Sequence, residues 1–174
     1  KVGVMGLGAL GKHLAERLVI LGFEVYGYSR TQKEIDSVEC FAESEKGQFL
    51  SNCEVLVNLL PVTPQTTDIL NHDLFSQLPD GAYLINVARG NHLVERDLIE
   101  ALDSNKLSGA LLDVFRTEPL PKENPLWNYP KVSITPHVAS VTTPASAISL
   151  LLNNLSLLQK GKELLYQVNL DRGY

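Results

Sequence analysis

Apolar and polar positions along this chain follow two alternating rhythms. Short continuous apolar runs predict buried strands near residues 2–6, 23–28, 54–60, 82–87, 109–114 and 132–135. Between them, apolar residues recur every three or four positions, the spacing of one helix face. In the first such stretch Leu10, Leu14, Leu18 and Leu21 share a side, Lys12, Glu16 and Arg17 point away, and Gly22 supplies a C-terminal stop. A second helix near 95–105 would bury Leu98, Ala101 and Leu102. The last is predicted to begin at Thr143-Pro144, a cap followed by a first-turn proline, with Ile148, Leu151, Leu152, Leu155 and Leu158 as its apolar face. This alternation implies an α/β fold, a doubly wound parallel sheet with helices on both faces, three layers deep. We find no internal repeat and no low-complexity segment; the long irregular stretch is the proline-bearing run from Thr117 to Pro130.

Composition narrows the range of partners. A chain of 174 residues, 44% hydrophobic and 20% charged, can close one ordinary core without disulfides or metals. A net charge of -5 and the lack of a dense Lys/Arg cluster exclude a nucleic-acid footprint and favour a small-molecule partner. No apolar run approaches the roughly twenty residues that span a bilayer, so no membrane role is expected. Cys40 and Cys53 lie far apart with no CxxC pairing, as reduced thiols of a cytoplasmic protein do. The histidines, His13, His72, His92 and His137, show no metal-ligand spacing, so no metal is expected.

Gly6-Leu7-Gly8-Ala9-Leu10-Gly11 lies directly between the first strand and the first helix, the setting in which GxGxxG acts as a phosphate cradle. Gly6 would permit the tight turn, Gly8 would admit a pyrophosphate to the backbone, and Gly11 would let helix and strand approach. The N–H groups opening the helix, around Ala9 and Leu10, would face the anion. A glycine turn without a ligand is the alternative. In NAD-binding folds an acid about twenty residues further on accepts hydrogen bonds from the adenosine ribose. Here that place reads Tyr28-Ser29-Arg30. Losing the carboxylate removes repulsion against a 2′-phosphate, and Arg30 could bind that phosphate with Ser29, Thr31 and Lys33 nearby. NADP(H) is therefore preferred, with NAD(H) possible; a merely solvated basic turn at Arg30 and Lys33 is the competing reading.

Three later strands also end in polar residues, at Asn86-Val87-Ala88-Arg89-Gly90, Asp113, and Thr135-Pro136-His137. Ligands of an open parallel sheet lie beyond the carboxyl ends of its strands, so these segments converge. Hydride transfer to a keto acid needs a fixed cation, a proton donor and a group that keeps the donor protonated. Arg89, His137 and Glu118 could supply the three. Taken singly, each is as well explained as a surface charge, a turn residue or a loop acid. Among the other histidines, His92 reads as a residue at a helix start, and His13 and His72 as solvated.

The GLGALG cradle, the NVARG segment, the LDVF-x-x-EPLP run from Leu112 to Pro121, Pro125-Leu126-Trp127 and TPHVAS together resemble the D-isomer-specific 2-hydroxyacid dehydrogenases over nearly the whole chain. LINVARG, GALLDVF, SITPHVAS, the YSR after the second strand and the closing DRGY are most similar to the glyoxylate/hydroxypyruvate reductases of that family. The resemblance implies a Rossmann-type fold and an enzyme that reduces glyoxylate, hydroxypyruvate or a related small 2-oxo acid with NADPH. It implies that Arg89 binds and polarises the 2-oxo acid, that His137 is the acid/base, and that Glu118 pairs with His137 to favour its protonated form. Asp113 would hold the nicotinamide carboxamide, and Val87, Ala88 and Ala139 would line the cofactor. The loop Leu60-Pro61-Val62-Thr63-Pro64-Gln65-Thr66 resembles the segment that runs along the cofactor, with Leu60, Pro61 and Thr66 as contacts, although a proline-rich turn without a chemical role explains the same residues.

The same resemblance implies residues 1–145 as the dinucleotide domain, 146–174 as a helix and tail returning toward a substrate domain, and a homodimer built through the dinucleotide domain. Lys1 already opens a strand, so the chain is expected to be part of a longer enzyme and to bind NADPH but turn over poorly by itself. Two other readings remain: a dehydrogenase of the β-hydroxyacid type, which would use a catalytic lysine, and a module that senses NADPH without turnover.

Overall fold

Seven parallel strands form one sheet in the order β3-β2-β1-β4-β5-β6-β7 in a computed structural model that describes residues 1–140 and 143–168. The closing Asp171-Arg172-Gly173-Tyr174 run lies outside the described residues. The elements are β1 (Val2–Met5), α1 (Ala9–Ile20), β2 (Val25–Tyr28), β3 (Glu39–Phe41), α2 (Lys46–Ser51), β4 (Val55–Asn58), α3 (His72–Gln77), β5 (Ala82–Asn86), α4 (Glu95–Asp103), β6 (Leu107–Leu112), β7 (Val132–Ile134) and α5 (Pro144–Gln159). The chain divides into two units, Lys1–His137 with the whole sheet and Val138–Tyr174 with α5.

Alternation along the strands sends neighbouring side chains to opposite faces. Met5, Leu56, Leu84 and Leu112 join Phe49 and Leu50 of α2, Leu74 and Phe75 of α3, and Leu98 and Leu102 of α4 in the larger core. Val4 and Val25 pack with Leu7 and with Ala15 of α1 on the other face. Removing a fully buried anchor such as Phe49 would cost about 3–5 kcal/mol in lost transfer energy and cavity.

The expected α1 stripe is rotated. Gly11 and Ala15 are buried and Leu14, Leu18 and Val19 half-buried, whereas Leu10 and Leu21 are 59% and 72% exposed. The cause is close approach: a Cβ on Gly11 would stand 1.8 Å from the Gly6 carbonyl oxygen, so the helix presses its smallest residues onto the sheet. In α4, by contrast, Leu98, Ala101 and Leu102 are buried as the spacing predicts. β3 was not expected, because it is three residues long and buries only Phe41. The six-residue helices α2 and α3 are too short for periodicity to declare.

Irregular structure extends beyond the anticipated 117–130 run. That run contains a 3₁₀ turn, Pro125–Asn128, anchored by buried Leu126, and two further irregular loops follow β2 and β4. In the second unit α5 begins at Pro144, and Ile148, Leu151, Leu152, Leu155 and Leu158 are all exposed. Among the described residues, no helix is long and apolar enough to cross a membrane, and no group of three His, Cys, Asp or Glu side chains could hold a metal ion.

Candidate functional site

Register sets the site. Met5 pairs with Asn58, Asn58 with Asn86, Asn86 with Leu112 and Leu112 with Ile134, so these strands end along one line. The chain runs from β1 outward to β2 and β3 and then crosses back to β4 on the other side of β1. That reversal is the switch point at which a doubly wound sheet opens a crevice.

The cradle occupies the β1 end of the crevice. Gly6 has φ +102°, a left-handed conformation, and a Cβ there would stand 2.7 Å from the Leu59 carbonyl oxygen. Gly8 caps α1 without a side-chain bond, and a Cβ on it would meet nothing within 4 Å. The first turn of α1 holds no acid, so no carboxylate of that turn competes with an anion for the N–H groups of the helix N-terminus. This geometry fits a pyrophosphate.

At the β2 end, the Ser29 hydroxyl donates to the Thr31 carbonyl at 2.6 Å, which closes the turn on itself. Arg30, Thr31 and Lys33 are exposed on that turn. Glu43 accepts from the hydroxyl of Tyr28, the buried last residue of β2.

At the β6 and β7 ends, Glu118 is held at both oxygens. Oε1 accepts from the Phe115 N–H and Oε2 meets His137 Nδ1, each at 2.8 Å. Hydrogen bonding to His137, then to the Phe115 N–H, keeps the Glu118 carboxyl below its ordinary pKa, and the Arg89 charge adds to the effect. A carboxylate only accepts, so the imidazole carries a proton on Nδ1 and leaves Nε2 as the nitrogen that can exchange one. The His137 N–H donates to the Asp113 carbonyl at 2.9 Å, and His137 itself has φ +55°. A non-glycine residue there stores roughly 1–3 kcal/mol of strain, characteristic of functional positions. Asp113 is buried and accepts from the Thr135 hydroxyl. Arg89 is exposed, its Nη1 donating to the Ala88 carbonyl at 2.6 Å. Ala88 is buried and Val87 half-buried just beyond β5, while Ala139 is exposed in the second unit.

Leu60 and Pro61 are half-buried beyond β4. The Thr66 hydroxyl serves that loop internally, donating to the Pro61 carbonyl at 2.6 Å. His92 stands at the entry to α4, closing a 3₁₀ turn, Gly90–His92, and is fully buried there. Its Nδ1 lies 3.0 Å from Asn58 Nδ2, which also donates to Asn86 Oδ1 at 3.0 Å. Asn86 is one of the polar strand ends noted above, though with no role of its own, and Asn58 carries the same signal unnoticed: they close the largely apolar strands AYLIN and VLVN. His13 and His72 are exposed.

A family model described as "D-isomer specific 2-hydroxyacid dehydrogenase, NAD binding domain" matches residues 1–139. Among solved structures, a D-isomer-specific 2-hydroxyacid dehydrogenase from Xanthobacter autotrophicus Py2 in complex with NADPH and MES is 43% identical, with a TM-score of 0.95, covering 99% of this chain and 72% of that one. An NADPH-dependent glyoxylate/hydroxypyruvate reductase from Sinorhizobium meliloti, in complex with NADP and sulfate, is 38% identical with a TM-score of 0.95, covering 99% of this chain and 56% of its own. A probable 2-hydroxyacid dehydrogenase from Rhizobium etli CFN 42 in complex with NADP, HEPES and L(+)-tartaric acid is 40% identical with a TM-score of 0.93, again over 99% and 56%. The chain thus spans little more than half the length of the latter two.

Proposed function

This chain belongs to the D-isomer-specific 2-hydroxyacid dehydrogenase family as its NAD-binding domain, and from that premise we propose that it serves the NADPH-dependent reduction of small 2-oxo acids, glyoxylate and hydroxypyruvate first among them. The observation that carries the reading is the Glu118–His137 pair, 2.8 Å apart at the crevice edge with Arg89 close enough to act on Glu118.

Gly6, Gly8 and Gly11 with the α1 N-terminus, at Ala9 and Leu10, would hold the pyrophosphate. Arg30, with Ser29, Thr31 and Lys33, would hold the 2′-phosphate, and Leu60, Pro61, Thr66, Val87, Ala88, Asp113 and Ala139 would flank the remainder. Bound there, the dinucleotide supplies a hydride. Arg89 anchors the substrate carboxylate and draws electron density toward the carbonyl oxygen. His137 Nε2 donates a proton to that oxygen as it becomes an alkoxide, and Glu118 stabilises the imidazolium before transfer and holds the ring's orientation after it. The acid-free β2 turn supports NADPH over NADH, as do the complexes of the Xanthobacter and Sinorhizobium proteins.

Residues 1–145 would be the dinucleotide domain and 146–174 the helix and tail that return toward a substrate domain. The assembly would be a homodimer built through the dinucleotide domain, and the thiols of Cys40 and Cys53, free of any disulfide, suit the cytoplasm. Titrating NADPH and NADH by nicotinamide fluorescence, then assaying both oxo acids with the full-length natural protein, tests the reading. Tighter NADPH binding with turnover of either acid is expected. A preference for NADH would overturn the role of Arg30, and NADPH binding without turnover would favour a sensor.

A further inference from the structure

Under the two loops that border the crevice lie three fully buried polar side chains, Asn58, Asn86 and His92, to which the reaction above gives no part. Asn58 and Asn86 end adjacent strands and face each other in the ladder. One amide hydrogen of Asn58 goes to Asn86 Oδ1 and the other to His92 Nδ1, both at 3.0 Å. An amide nitrogen only donates, so Nδ1 must be bare and the imidazole proton must sit on Nε2. Nε2 lies 3.2 Å from the Pro61 carbonyl, which accepts that proton.

The remaining atoms of the trio reach the loops directly. Asn58 Oδ1 accepts from the Leu60 N–H at 3.2 Å, Asn86 Oδ1 from the Ala88 N–H at 3.3 Å, and Asn86 Nδ2 donates to the Arg89 carbonyl at 3.2 Å. His92 is tied through its backbone as well, its carbonyl accepting from the Leu70 N–H at 2.8 Å, while Arg116 Nη2 bridges the carbonyls on either side of it, at Asn91 and Leu93. Burial lowers the imidazole pKa, the Arg89 charge adds to it, and together they outweigh the opposing bonds to the Pro61 and Arg89 carbonyls, so the ring is neutral, as this arrangement requires. Networks in which every member is satisfied specify one geometry, whereas packed aliphatic side chains would leave both loops room to shift.

We infer that His92 is a positioning residue: as its Nε2–H tautomer it joins Asn58 and Asn86 in a clamp that sets the spacing between the Pro61 loop on the cofactor side and the Arg89 backbone on the substrate side. The inference rests on the reading of Arg89 and Pro61 given above. Its consequence is that the guanidinium is aimed from beneath, by groups that touch neither substrate nor cofactor. A displacement of about 1 Å at a reacting group costs about a hundredfold in rate.

The test compares His92→Leu with His92→Gln in the full-length natural protein, alongside long-range ¹H–¹⁵N NMR of the wild-type imidazoles. The buried ring should show Nδ1 bare and Nε2 protonated. His92→Leu should lower kcat/KM for glyoxylate about tenfold to a hundredfold, with KM raised and kcat reduced, and should weaken NADPH binding through the Pro61 loop. His92→Gln, which keeps a donor and an acceptor, should recover most of both losses. Circular dichroism checks that each variant is folded; if His92→Leu is not, His92→Gln and the tautomer decide. A proton on Nδ1, or a folded His92→Leu with wild-type kcat/KM and NADPH affinity, overturns the clamp. If the wild-type protein binds NADPH but reduces neither acid, the proposed function fails instead, and the tautomer together with NADPH affinity still decides the clamp.

Discussion

On the β2 side of the crevice, the groups that would choose the cofactor stand on an exposed turn, with Ser29 bonded to Thr31 and the Arg30 and Lys33 side chains at the surface. Across the β4 to β7 ends, the candidate reacting groups are held from several directions at once. Glu118 is bonded at both oxygens, His137 is pinned by the Asp113 carbonyl, and the Arg89 backbone rests on Asn86. The difference teaches where geometry has to be exact to within a bond length. A phosphate can be caught by surface cations whose strength is mainly charge, whereas proton transfer and carbonyl polarisation depend on alignment. One side should therefore change its preference readily under substitution, and the other should lose function.

The sharpest way to break that contrast is His137→Ala. It should cost about 10²–10⁴ in kcat for either oxo acid while NADPH affinity by fluorescence titration stays at the wild-type value. Arg89→Leu should follow with about 10²–10³ in kcat/KM, as loss of a preorganised charge at a developing oxyanion does, measured by steady-state NADPH oxidation. On the other side, Arg30→Ala should reduce the NADPH-over-NADH preference by about tenfold to a hundredfold, equivalent to one charge-assisted hydrogen bond, with kcat at saturating cofactor preserved. A larger loss of kcat from Arg30→Ala than from Arg89→Leu would invert the contrast.

The smallest effect expected is on stability in acid. The Glu118 carboxyl is lowered from about 4.5, so its contribution is complete above that value and is lost as pH falls through the folded pKa. His92 is lowered from 6.5, so the unfolded chain takes up its proton first, and stability declines from about pH 6.5 down to the folded pKa of the ring. Thermal melts should show His92→Gln removing the decline that starts near 6.5 and Glu118→Gln removing the one that starts near 4.5. Coincident slopes in wild type and variants would show that neither group is linked to folding.

Much of the site was legible residue by residue. GxGxxG between a strand and a helix, and the strand-end positions of Arg89 and His137, are local statements that a parallel sheet turns into proximity. The α1 stripe was misread because spacing reports which residues share a face, not which of two adjacent faces a pair of glycines draws onto the sheet. The burial of His92 was not legible, because a histidine three residues past Arg89 carries no periodic signature.

By itself the sequence determined the α/β order, the cradle, the missing acid after β2 and the family to which the chain belongs, because each depends on neighbours within a few positions. Tertiary structure supplied the hydrogen bond behind the pairing of Glu118 with His137, nineteen residues apart, that the resemblance implied, and it alone decided that Asn58, Asn86 and His92 form one network. Those pairings depend on strand register and on burial that leaves a polar atom no partner but another side chain. Neither is written in the spacing of any single segment.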